Sequence, residues 1–184
     1  MSESEQNDRE AMALLAGGDD LALNAIMDRW KRRLVSYLCR FTGNEATALE
    51  LAEETFVRVY QGRGKFRAGG LFSTWLFGIA ANLARNHLRW QSRHPTAPIE
   101  EADTVATEED PLKDAESRER EQAVKIAITA LPPDLREALI LSEYERLAQA
   151  EIASVVGCSV KAVERRLSRA REILRRELSH YLHD

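Results

Sequence analysis

Ala148–Arg176 reads AQAEIASVVGCSVKAVERRLSRAREILRR. Apolar residues recur at helical spacing on both sides of Gly157, so two helices meet there at a tight turn. The first ends near Val156, and Gly157 supplies a backbone conformation that side chains with a Cβ resist. Ser159 is a natural N-cap for the second helix. Ala153, Gly157 and Val163 stand four and six residues apart. That spacing suits a helix-turn-helix, with a small residue at the crossing, glycine in the turn and a β-branched anchor on the second helix. At about 100° per residue, Val163, Leu167, Ala170 and Leu174 share one stripe, and Lys161, Arg165, Arg169 and Arg176 face away from it. Residues 159–176 hold seven basic and two acidic side chains. An exposed cationic helix of this kind reads a major groove and its phosphates. Arg166, nearer the apolar edge, takes a phosphate or a packing role. Glu164 and Glu172 beside the basic face read as solvated, and Cys158 as a small buried residue.

The rest of the chain agrees with an all-α protein. Leu23, Ile26, Met27, Trp30, Leu34, Tyr37, Leu38 and Phe41 follow a 3.6-residue period until Thr42-Gly43-Asn44 breaks it. A second periodic stretch runs over 45–61 and a third over 71–91, separated by a glycine-marked loop. Further helices are expected at about 118–130, 134–145, 148–155 and 159–179. Residues 95–120 carry three basic and nine acidic side chains and three prolines. They read as an acidic extended linker that leads into a helix. The expected layout is two small helical domains, 1–94 and 118–184, joined by a flexible linker over 95–117.

The 184 residues carry 26 Lys+Arg and 30 Asp+Glu, a net charge of −4. That total argues against a nucleic-acid partner until it is divided. No acidic residue stands between Glu54 and Glu100, a stretch with Arg58, Arg63, Lys65, Arg67, Arg85, Arg89 and Arg93 and seven of the chain's twelve aromatics. Basic side chains interleaved with aromatics can follow a phosphate backbone and stack unpaired bases. On a helical wheel of 71–93, Phe72, Leu76, Ile79, Ala80, Leu83 and His87 form the core stripe. Trp75, Gly78, Asn82, Arg85, Arg89 and Arg93 line another face. Gly78 would let a ligand approach the backbone, and Asn82 can both donate and accept towards a base edge. Trp75 suits either packing or base contact. The stretch 45–61 carries Glu50, Leu51, Glu54 and Arg58 outward, and a large apolar residue among acids points to a protein partner.

Two cysteines in no CxxC pair, and histidines in no ligand cluster, fit a reducing compartment and no metal. The acidic N-terminus is no signal peptide, and no apolar run approaches a membrane span. GxxxxGK[ST], GxSxG and HExxH are absent, and no acid/base constellation suggests an enzyme. No cofactor is implied. Two readings of the motifs differ in kind. One is a factor that handles unpaired bases as well as duplex DNA; the other is a stand-alone regulator that binds duplex DNA. The basic-aromatic stretch favours the first, since a duplex-only regulator has no need to stack bases.

LAEETFVRVY (51–60), FRAGGLFSTWLFGIAANLARNHLR (66–89) and LPPDLREALILSEYERLAQAEIASVVGCSVKAVERRLSRAR (131–171) together resemble a bacterial sigma factor of the extracytoplasmic-function class. The resemblance covers residues ~15–180. It implies transcription initiation without catalytic residues, through region 2 in the first domain and region 4 in the second. Its partners would be core RNA polymerase, through the β′ clamp helices and β flap, promoter DNA, and an anti-sigma factor. Glu50, Leu51, Glu53 and Glu54 match the polymerase-docking segment, with Glu53 where the family usually has Gln. Phe66, Trp75, Asn82, Arg85, Arg89 and Arg93 are the implied −10 contacts. Ser159, Lys161, Arg165, Arg166 and Arg169 are the implied −35 contacts, with Glu164-Arg165 where a Lys-Ser pair is common. The acidic linker resembles those that thread the RNA path of polymerase. The protein would be cytoplasmic.

Overall fold

A computed structural model describes residues 3–67, 69–94 and 115–181. Most of the expected acidic linker, 95–114, lies outside the described residues. Eight α-helices account for the described architecture, with no strand among the described residues. They are α1 (Glu3–Ala16), α2 (Ala22–Thr42), α3 (Glu45–Gln61), α4 (Phe72–Arg93), α5 (Ala115–Ala130), α6 (Pro133–Glu143), α7 (Gln149–Val156) and α8 (Val160–Glu177). A short 3₁₀ turn covers Arg63–Lys65 between α3 and α4.

Local chemistry explains the boundaries. Gly43, at φ 77°, ends α2, and its N–H donates to the Cys39 carbonyl at 2.8 Å. Asn44 then caps α3 by accepting from the Thr47 N–H at 2.8 Å. Pro133 opens α6 at a position whose N–H would have had no helical partner.

The first domain packs around α2. Ile26, Leu34, Tyr37, Leu38 and Phe41 are fully buried. Tyr37 meets Phe77 edge-on at 5.2 Å, and Trp30 meets Phe72 and Phe77 at 5.8 and 6.0 Å. These spacings suit aromatic edge-to-face contacts. On α4 the buried residues are Phe72, Leu76, Phe77, Ala80, Ala81 and Ala84. The core stripe is therefore rotated from the expected one. Ile79, Leu83 and His87 are half-buried, while Phe77, Ala81 and Ala84 take the interior. The reason is that α4 is enclosed from more than one side: α2 and α3 cover one face and α7 another.

Helix α1 was not anticipated from the sequence. Its Ala11, Met12 and Leu15 are buried, and Asp8 is buried between them and α2. The Asp8 carboxylate accepts from Arg29 Nε at 2.9 Å and from the Trp30 indole N–H at 3.0 Å. Paired in this way, a charge can sit in the interior.

The second domain comprises α5–α8. Val163, Leu167 and Ala170 of α8 are buried against α6 and α7, as expected, and Leu174 is half-buried. Among the described residues no helix is long and apolar enough to cross a membrane. No cluster of potential metal ligands occurs among them either.

The two domains meet along α2 and α4 on one side and α5, α6 and α7 on the other. Apolar contacts run continuously from one core to the other. Replacing Asp8 by Ala strands the Trp30 indole and Arg29, so a loss of about 1–3 kcal/mol is expected. Urea denaturation of the full chain measures it, and an unchanged midpoint would show that α1 is held by its apolar residues alone.

Candidate nucleic-acid interface

The C-terminal site is built by the turn that the sequence marked. Gly157 is left-handed at φ 72°, ψ 42°, and its N–H donates to the Ala153 carbonyl at 3.0 Å. The Cys158 N–H donates to the same carbonyl at 3.1 Å. Ser159 then caps α8, its Oγ accepting from the Ala162 N–H at 3.2 Å. The Glu151 carboxylate accepts from the Ala148 N–H at 2.6 Å and closes the start of α7. These bonds fix the angle between α7 and α8. Ser159, Lys161, Arg165 and Arg169 are exposed on the side of α8 away from its buried stripe. Glu164 and Glu172 are exposed beside them. Arg166 is the exception: it is half-buried, with Nε 3.5 Å from Asp134 and Nη1 3.8 Å from Cys158 Sγ. These contacts tie its guanidinium to the region 4 core side of α8. Cys158 is half-buried against the core rather than enclosed.

The N-terminal site is a cleft of about 940 Å³ between the loop after α3 and the N-terminal half of α4. Arg58, Lys65 and Arg67 supply positive charge, and Phe66, Trp75, Ile79 and Leu83 supply apolar surface. Phe66 packs on Phe72 and Trp75 at 5.8 and 5.3 Å, so the half-buried Trp75 is both a packing residue and a wall of the cleft. Gly62 makes that possible. A Cβ there would lie 3.3 Å from the Trp75 ring and 3.0 Å from the Arg58 carbonyl. Gly78 also lines the cleft, and a Cβ there would meet nothing within 4 Å, which leaves the backbone open to an occupant. Asn82 is exposed at the cleft. The Thr74 hydroxyl in its wall is buried and has no hydrogen-bond partner among the described residues. Cationic rim, aromatic floor and unclaimed polar groups together suit an unstacked nucleotide.

The cations on α4 divide. Arg89 and Arg93 are exposed beyond the cleft, with Arg89 held against Asn86 at 2.5 Å. Arg85 instead donates to Glu137 of α6 at 2.7 Å. The Glu137 side chain is only 3 % exposed. Burial pushes its carboxyl above the usual glutamate range, and Arg85 and Arg166 pull the other way. The Tyr37 phenol beside it is raised well above its ordinary value, chiefly by burial.

A third surface lies on α3. Glu50 and Glu53 are exposed, and Glu54 is tied to Arg58 at 2.7 Å. Leu51 is half-buried against the core rather than fully outward. The exposed apolar residues there are Leu49 and Val57, 43 and 46 % accessible, flanking Glu53 at i−4 and i+4. They stand eight residues apart with Glu53 midway, which was the available signal, and Leu49 was hidden because it also fits the helix's apolar period.

The family model "Sigma-70 region 2" matches residues 26–94, and "Sigma-70, region 4" matches residues 122–174. The chain is 34 % identical to the RNA polymerase sigma-H factor of Pseudomonas aeruginosa, over 98 % of both chains.

The chain belongs to the sigma-70 family.

Within that family it is of the extracytoplasmic-function class and acts in promoter-specific transcription initiation. It is 33 % identical to the ECF RNA polymerase sigma-E factor of Escherichia coli K12, over 85 % of this chain and 86 % of the relative. CnrH, solved in complex with the cytosolic domain of CnrY, superposes with a TM-score of 0.72 at 26 % identity. That match covers 95 % of this chain and 98 % of CnrH. A region 2 match over the cleft-bearing half decides against a stand-alone duplex regulator. In this sigma factor region 2 carries the cleft and region 4 the helix-turn-helix.

The raised Glu137 carboxyl has a measurable consequence. A group with its pKa raised on folding adds stability below its unfolded value, and that contribution is lost as pH rises through the folded value. Gln at 137 cannot titrate. The stability of wild type relative to Glu137→Gln is therefore expected to fall as pH rises above the ordinary glutamate value and through the raised folded one. Paired urea titrations at several pH values check it. A difference that grows with pH would mean that Arg85 outweighs burial.

Proposed function

We propose that this sigma factor docks on core RNA polymerase through α3, captures an unpaired −10 base in the region 2 cleft and reads the −35 duplex with α8. The observation that carries the division of labour is the contrast between the two DNA surfaces. One is a straight, exposed cationic helix with a capped start, suited to a major groove. The other is a recess with an aromatic wall and a cationic rim. A duplex cannot enter such a recess; an extruded base can, and its capture offsets a few kcal/mol of unstacking.

In this reading Phe66 and Trp75 shape the base pocket, and Asn82 contacts the base edge. Arg85, Arg89 and Arg93 lie along the same helix for the phosphates. Ser159, Lys161, Arg165 and Arg169 face the −35 element, with Arg166 bracing α8 from behind. Glu50, Leu51, Glu53 and Glu54 form the polymerase contact, to which the exposed Leu49 and Val57 add apolar area. In this reading 1–94 is region 2, 95–117 the acidic linker and 118–184 region 4. The polymerase supplies the catalytic site, so the factor itself is no enzyme and works in the cytoplasm. Region 4 would meet the β flap. A protein inhibitor is in keeping with the structurally similar CnrH, which is solved bound to the cytosolic domain of CnrY.

Purified chain added to core polymerase is expected to produce promoter-dependent transcription, and failure to form a holoenzyme would sink the proposal. Arg165→Ala should weaken −35 duplex binding by about 1–3 kcal/mol if the guanidinium makes a bidentate guanine contact. Unchanged affinity and sequence preference would remove Arg165 from the reading face. Asn82→Ala should impair −10 single-strand binding and spare the −35 duplex; the reverse pattern would mean that the domain roles are exchanged.

A further inference from the structure

Asp8 of α1 lies outside the cleft, and it is buried. Its Oδ1 accepts from the Trp30 indole N–H at 3.0 Å and from Arg29 Nε at 2.9 Å. The Arg33 guanidinium stands over the Trp30 ring, 4.7 Å from its centroid. The ring is therefore held at its N–H and on one face. Trp30 meets Phe72 at 5.8 Å with the rings 61° apart. Phe72 is buried and does not line the cleft, but it touches both aromatics that do. Phe66 lies 5.8 Å from it and Trp75 6.0 Å. Rings in direct contact thus run from the Asp8 carboxylate to the cleft wall, each pair at the spacing of aromatic packing. Helix α1 also touches α4 and the Arg63–Lys65 turn that precedes Phe66.

We propose that Asp8 is a positioning residue of the −10 cleft: its bond to the Trp30 indole fixes that ring, and Phe72 passes the placement on to Phe66 and Trp75. This rests on the reading of the cleft as the −10 site and adds a residue that shapes it from outside. An indole carries one polar group on one edge. With the N–H bonded to Asp8, a single ring orientation is selected, because a flipped ring would bury that N–H unpaired. Interiors are packed closely enough that a ring displaced in one place displaces its neighbours. Phe66 has no helix to set it, since it stands in extended backbone just after a 3₁₀ turn. Trp75 is only half-buried. Both depend on Phe72 for their place. The outer face of α8 has no part in this chain of contacts, being set by Gly157, Ser159 and its own buried stripe.

The test assembles each full-chain variant with core polymerase. Two probes are titrated: a single-stranded oligonucleotide carrying the −10 element of a promoter that the factor transcribes, and a −35 duplex. Stacking of one base on an aromatic side chain is worth about tenfold in affinity, so a wall that is present but misplaced should cost Asp8→Ala about three- to tenfold on the −10 probe. The −35 affinity should not move. Asp8→Asn keeps an oxygen that accepts from the indole and should bind the −10 probe close to wild type, although it loses the charge opposite Arg29. In a Trp30→Phe background there is no indole N–H to hold, so adding Asp8→Ala should cost nothing further on that probe. Leu15→Ala is the control for a merely structural effect. Leu15 is fully buried on the same helix, and its truncation leaves a cavity without touching the Asp8 bond. Its −10 affinity should stay at the wild-type level. An equal loss in Leu15→Ala would overturn the proposal, and so would a loss in Asp8→Asn as large as in Asp8→Ala, or an undiminished effect of Asp8→Ala beside Trp30→Phe. Asn82→Ala on the −10 probe separates the two levels. If it weakens binding while Asp8→Ala does not, the positioning role falls and the cleft remains the −10 site; if neither weakens it, the −10 assignment falls and the positioning role with it.

Discussion

A helix with apolar residues on more than one face cannot be satisfied by a single neighbour. α2 is such a helix. Ile26, Leu34, Tyr37, Leu38 and Phe41 are all fully buried, and the helix packs against α1, α3, α4, α5 and α6. Burying it therefore organises region 2 and at the same time leaves a surface that region 4 covers. Its polar residues follow the same geometry. Asp8 reaches Arg29 and Trp30 from one side, while Glu145 and Arg136 engage Arg33 and the Phe41 carbonyl from the other. The seam between the domains is an extension of the core, not a contact between finished surfaces.

Charge is distributed to match. A net −4 suggests a protein that avoids DNA, yet potentials act locally. Region 2 presents Arg33, Arg40 and Arg85 to the seam, where Glu145, Tyr144 and Glu137 receive them. Glu137 and Glu145 of region 4 lie inward, while Lys161, Arg165 and Arg169 lie on the outer side of α8. Each domain thus has one face complementary to the other domain and a cationic surface beside it. Arg85 belongs to the first, since its guanidinium donates to Glu137 across the seam.

The outer face of α8 and the region 2 cleft differ in how they are held. α8 is rigid by local means: a left-handed glycine, a serine cap and a stripe of three buried residues. The cleft has no such local logic. Phe66 and Leu71 are in extended conformations around a turn, and the shape depends on Trp75 packing over Gly62 from another element. A reader of regular duplex is well served by the first. A pocket for an extruded base needs the second, because irregular backbone offers recesses that a helix surface lacks.

What the sequence determined by itself was whatever is decided within a few residues. The helix-turn-helix was legible because Gly157, Ser159 and the Val163–Leu167–Ala170 stripe act over one or two turns. The all-α class, the helix boundaries within a few residues and the cationic 55–94 stretch follow in the same way. The tertiary structure decided everything that depends on which way a helix is turned. It rotated the core stripe of α4 onto Phe77, Ala81 and Ala84, moved His87 off it, and exposed Leu49 and Val57 while half-burying Leu51. It added α1, whose hold on the chain comes from Arg29 and Trp30 about twenty residues on. It also paired Arg85 with Glu137 across 52 residues. Periodicity fixes the spacing of side chains along a helix but not the neighbour they meet, and that choice belongs to the packing of the whole chain.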